Sequence, residues 1–138
     1  MTLDELDATL PNGFHDAHFL KLTIDYQKSQ ARLLLDVWVA ESRDAEEREA
    51  YRLADLTLSG LLYWVAEPPD EREPLDGVTA ERIDIGPLAA LGKAPKTCLA
   101  LPDGAFANWI YMAYSNTLIH VAARDAGLIW IGEKGGRV

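Results

Sequence analysis

Apolar residues recur at every second position in several short runs of this chain, and that period constrains its fold more than any other feature. In residues 17–26, His18, Leu20, Leu22, Ile24 and Tyr26 share one parity, while Phe19, Lys21, Thr23 and Asp25 share the other. A strand with one buried face reads this way, because successive side chains leave a pleated backbone on opposite sides. After a polar turn at 27–29 the alternation resumes over 30–40. Leu33, Leu35, Val37 and Val39 take one face there, and Arg32, Leu34, Asp36 and Trp38 the other. Two alternating runs joined by a short turn predict a β-hairpin.

The same reading continues along the chain. Residues 51–65 have strand composition, with a bulge or bend expected at Ser59-Gly60 where the pattern changes parity. A turn-rich acidic stretch, Glu67-Pro68-Pro69-Asp70 to Gly77, precedes a short strand near 79–85 that Gly86-Pro87 closes. One helical turn is expected over 87–91, and strands over 106–114, 117–124 and 128–131. At the other end, Thr2 and Glu5 have capping-box spacing, and Leu3, Leu6 and Leu10 recur at helical intervals before Pro11-Asn12-Gly13. Strands do not alternate with helices, so parallel pairing is not expected. The expectation is a mainly all-β chain, an antiparallel sandwich or open barrel of about seven strands with a short N-terminal helix. The 138 residues fit a single domain, 1–138. A chain of that size buries about two-thirds of its surface, so its core needs no metal or disulfide.

Charge narrows the partners. The 22 acidic and 13 basic residues leave a formal charge of −9, which repels a phosphate backbone and suits a basic protein surface. No apolar run approaches the roughly 20 residues of a membrane span, so no membrane partner is expected. The opening Met1-Thr2-Leu3-Asp4-Glu5 lacks the cationic and apolar segments of a signal peptide, and the single Cys98 cannot form an internal disulfide. Cytoplasmic localisation is the expectation.

The residues that carry chemistry are few. His15-Asp16-Ala17-His18 gathers two imidazoles and a carboxylate in four residues, and His120 is the one further histidine. These ligand types hold zinc and other transition metals, which makes His15, Asp16, His18 and His120 a candidate metal set. The competing reading has His15 and Asp16 hydrogen-bonding backbone at the strand entry, with His18 at the margin of the core. Ser59 lacks the flanking glycine of a nucleophile elbow, and Leu99-Ala100-Leu101 beside Cys98 favours an inert thiol. Gly132-Glu133-Lys134-Gly135-Gly136 lacks the order of a phosphate-binding loop. Asp36 interrupts Leu34-Leu35-Asp36-Val37-Trp38, and its parity predicts a solvent-facing carboxylate paired with a cross-strand cation. No catalytic residue and no cofactor is assigned.

The last strands present a different problem. Phe106, Ile110 and Met112 are backed by Ala107, Trp109, Tyr111 and Ala113, so both faces require cover. Leu3, Leu6 and Leu10 of the terminal helix are expected to cover part of the second face. The remainder, anchored by Trp109 and Tyr111, is expected to form a twofold homodimer interface or to dock another protein.

Four segments together carry a resemblance: Leu10-Pro11-Asn12-Gly13-Phe14-His15-Asp16-Ala17, Leu35-Asp36-Val37-Trp38-Val39, Ser59-Gly60-Leu61 ahead of Glu67-Pro68-Pro69, and Ile119-His120-Val121-Ala122-Ala123-Arg124-Asp125-Ala126. With them the chain resembles small uncharacterised bacterial β-sandwich proteins, some of them similar to immunity proteins of the polymorphic-toxin type. The resemblance implies a β-rich single domain of unknown function, with toxin neutralisation as one of the roles open to it, and it brings no site residues. The expected function is thus a non-enzymatic binding or interaction domain for a basic partner. The alternative is metal or small-molecule binding by the His15/Asp16/His18 cluster.

Overall fold

The hairpin predicted for residues 17–40 forms the middle of the sheet in a computed structural model that describes residues 1–40, 51–78, 80–88 and 100–132. Strands β1 (Ala17–Asp25) and β2 (Gln30–Trp38) pair antiparallel across a turn in which Ser29 takes a φ of 49°. The Asp25 carboxylate closes that turn by accepting from the Lys28 amide at 3.1 Å. On the other side, β2 pairs along its whole length with β3 (Tyr51–Ser59). Ala31, Leu33, Leu35 and Val37 are fully buried, and the first three lie opposite Leu58, Leu56 and Ala54. The alternating residues of the sequence therefore share one interior face.

Among the described residues there are eight strands: β4 (Tyr63–Ala66), β5 (Glu81–Pro87), β6 (Phe106–Met112), β7 (Thr117–Ala123) and β8 (Asp125–Trp130) follow the first three. The count exceeds seven because the run 51–65 breaks where the glycine predicts it. Gly60 has a φ of +61°, and a Cβ there would lie 2.8 Å from the Arg124 side chain, so only glycine fits the bend.

All strands belong to one antiparallel sheet in the order β4-β7-β6-β5-β1-β2-β3-β8. The two ends of that order are joined through the chain, since β3 runs on into β4 and β7 into β8. Ser59 pairs with Asp125 and Tyr63 with Ala122, so three residues on one side face two on the other. The β3/β8 and β4/β7 pairings are one bent ladder with a bulge. The sheet thereby curls into a partly open barrel instead of stacking as a sandwich.

Its interior is filled by Leu33, Leu35, Leu56, Leu58, Ile110 and Val121, joined by Leu3 and Leu6 of α1 (Leu3–Thr9). The capping box appears as predicted, with the Thr2 side chain accepting from Glu5 N and the Glu5 side chain from Thr2 N. The helix does not cover the second face of the last strands. The Met1 ammonium holds Asp125 at 2.6 Å, Asp4 accepts from Asn108 Nδ2 at 2.8 Å, and Asn12 donates to the carbonyls of Trp38 and Ala40. These anchors on β8, β6 and the end of β2 turn its leucines into the barrel.

Two expectations about single positions need correction. Asp36 is only 5% exposed: it lies between His18 and Leu53, where the His18 ring of β1 stacks on Tyr51 of β3 across β2. Leu22 keeps the interior parity yet is 38% exposed, because β1 pairs with β5 only over Ala17, His18 and Phe19. Leu20 is an unmatched bulge residue between Phe19 and Lys21, and it shifts the parity of β1 so that Ala17 and Phe19 face inward together with Ile24. Glu41 to Glu49, whose five acids and two arginines predict an exposed loop or one solvated helical turn, lie outside the described residues, as do Cys98 and most of the turn predicted at 87–91. No described helix is long and apolar enough to cross a membrane.

Candidate functional site

Gly13 and Asp16, with φ of 58° and 57°, turn the chain between the helix and β1. That turn places His15 beside β5, where its Nδ1 lies 2.6 Å from Asp84 Oδ1 and its Nε2 lies 3.3 Å from Asp16 Oδ2. Asp16 in turn lies 3.5 Å from the Arg82 guanidinium. The hydrogen bond to Asp84 raises the His15 pKa above its ordinary value, and the charges of Asp84 and Asp16 add to the effect. Nδ1 is thus hydrogen-bonded to Asp84 and Nε2 faces Asp16 in a seam between the turn before β1 and strand β5. The His18 ring stacks on Tyr51 with centroids 4.7 Å apart. His120 is buried on β7, its Nε2 3.3 Å from Glu67 Oε1. The structure thus brings His15 and Asp16 together and sends His18 and His120 to other partners. Among the described residues no three His, Cys, Asp or Glu side chains are placed to hold one metal ion.

The anchors predicted on the last strands lie side by side on the outside of β6. Trp109 pairs with Gly86 on β5 and His120 on β7, and is half-buried; its Nε1 is buried and has no hydrogen-bond partner. Tyr111, also half-buried, donates from its hydroxyl to Asn116 Oδ1 at 2.8 Å, and Asn116 Nδ2 donates to Asp70 at 3.4 Å. These contacts edge a cleft of about 480 Å³ lined by Asp70, Arg72, Glu73, Tyr111, Tyr114 and Asn116.

Two devices hold the walls of that cleft. The β6–β7 hairpin is pinned by the buried Glu81, whose carboxylate accepts from the backbone amides of Tyr114 and Ser115 at 3.0 Å each. The acidic loop is fastened to the hairpin by Thr117 Oγ1, which donates to the carbonyls of Glu67 and Pro68, and by Asp70 N, which donates to the Ser115 carbonyl at 2.9 Å. The Asp70 carboxylate accepts from Arg72 N at 3.0 Å and also meets the Arg72 guanidinium. These bonds hold its pKa below the usual value.

The cleft also holds the Arg72 guanidinium, which already meets the Asp70 carboxylate. Tyrosine rings and carboxylates lining one cleft can meet a guanidinium or ammonium group through cation–π contact and charge-assisted hydrogen bonds. Sequence reasoning named Tyr111 but not Asp70, Glu73, Tyr114 or Asn116 as its neighbours. The loop and the Ser115-Asn116 turn read separately as turn formers, and only the β6/β7 register and the loop's bonds to Thr117 and Ser115 bring them together.

No family model matches the chain, and no curated protein matches it in sequence. An uncharacterised protein from Neisseria gonorrhoeae is similar in structure at 7% identity, with a TM-score of 0.40 over 83% of this chain and 90% of that one.

Proposed function

We propose that this chain is a non-enzymatic interaction domain that binds and neutralises a basic protein partner, in the manner of an immunity-type protein. The observation that carries this reading is the cleft in which Tyr111 and Tyr114 stand beside Asp70 and Glu73. A lysine or arginine of the partner enters it, and the half-buried indole of Trp109 extends the contact along β6. The excess of acidic residues steers the encounter, raising the association rate more than the final affinity.

Calorimetric titration tests this with an arginine-bearing peptide and its citrulline counterpart, which keeps the shape and loses the charge. The arginine peptide is expected to bind more weakly as salt rises, and the citrulline peptide not to bind. The pair Asp70→Asn and Tyr111→Ala is expected to weaken binding at least about tenfold, some 1.4 kcal/mol. Equal binding of both peptides, or binding indifferent to the two substitutions, would overturn the proposal.

A further inference from the structure

We infer that two copies of this chain pair through the free edge of β1, antiparallel about a twofold axis at Thr23. This surface is separate from the cleft, and the inference does not depend on what the cleft binds.

Beyond Phe19, β1 has β2 on one side and pairs with no other described strand. Leu20, Lys21, Leu22 and Thr23 are exposed and Ile24 and Asp25 half-buried, the last two lining a cleft of about 200 Å³ with Tyr26, Leu61 and Trp64 that the incoming strand would have to enter. A long open edge carrying apolar residues is a template for strand addition.

The sequence of the edge fits itself. Laid antiparallel on a second copy about Thr23, Lys21-Leu22-Thr23-Ile24-Asp25 sets Lys21 opposite the partner's Asp25, Leu22 opposite the partner's Ile24, and Thr23 opposite the partner's Thr23. Opposite charges, apolar pairs and threonine pairs are the cross-strand combinations that stabilise antiparallel ladders. Neither Lys21 nor Asp25 forms an ion pair with any described residue, and Asp25 uses Oδ1 to accept from the Lys28 amide. One step further out, Leu20 falls opposite the partner's Tyr26. These residues are 42% and 88% exposed, and the pairing covers both. Because the twofold repeats each contact, the arrangement is closed and stops at two copies. The inner and outer faces of the two barrels stay in register across the seam, since directly opposed residues share a face.

A strand-edge interface of this size belongs to the weak, transient class, so the test is sedimentation over roughly 10 µM to 1 mM protein. The wild type is expected to pass from 15.3 kDa towards twice that mass. Lys21→Asp and Asp25→Lys each set like charges against each other at both ends of the ladder, and each is expected to remain monomeric. Mixed together, the two variants restore opposite charges at both positions and are expected to form a one-to-one heterodimer. Circular dichroism verifies that both variants are folded. A wild type that is monomeric throughout, single variants that still dimerise, or a mixture that stays monomeric would each overturn the inference. So would a dimer abolished by Trp109→Ala with Tyr111→Ala but untouched by Lys21→Asp, which would place the interface on the outside of β6.

Discussion

Gly86 and Trp109 face each other across β5 and β6 so closely that a Cβ on Gly86 would lie 2.3 Å from Cζ2 of the indole. The glycine is required here for close approach and not for an unusual φ, and it is what lets Trp109 sink to half-burial on an otherwise outward face. Gly86→Ala should displace the indole, cost about 1–3 kcal/mol in urea denaturation and red-shift the tryptophan emission. Unchanged stability and emission would mean that the ring is not seated on the glycine.

Glu81 couples the fold to the cleft, since its buried carboxylate accepts from the amides that set the positions of Tyr114 and Ser115. Glu81→Ala leaves two backbone donors without their acceptor and should cost about 1–3 kcal/mol. Glu81→Gln keeps one acceptor oxygen and should recover part of the loss. Urea denaturation measures both, and peptide binding in the cleft should decline in the same order.

The period-two pattern made the hairpin and the bend at Gly60 legible, and capping-box and helical spacing the N-terminal helix, because each depends on neighbours in sequence. What it concealed depends on pairing. Leu20 interrupts the alternation of β1 without any turn residue to announce a bulge, and the burial of Asp36 accompanies a His18–Tyr51 stack between strands that no local window contains. Leu3 and Leu6 form the predicted helix, but their direction is decided by Asp125, Asn108 and the end of β2. Tyr111 could be named from the sequence as an anchor. The carboxylate of Asp70, 41 positions away, could not be joined to it before the strand register was known.

The seam at His15 predicts a pH dependence of modest size. In the folded chain His15 holds its proton more tightly than the ordinary value of 6.5, chiefly through its hydrogen bond to Asp84. The resulting stabilisation is fully present below about pH 6.5 and is lost as pH rises through the raised folded value. His15 is 58% exposed, so solvent screening limits the effect to less than about 1 kcal/mol. His15→Gln should flatten the stability profile above pH 6.5; a wild-type profile already flat there, or one rising with pH, would contradict the assignment.

Residue-resolved mapping of an arginine-bearing peptide by amide chemical shifts tests the central claim most directly, because it locates the contact as well as detecting it. The account predicts saturable shifts concentrated at Asp70, Glu73, Tyr111, Tyr114 and Asn116, with the Trp109 indole signal moving in step. Shifts spread evenly over the acidic surface, or concentrated around His15 and Asp84 instead, would contradict it.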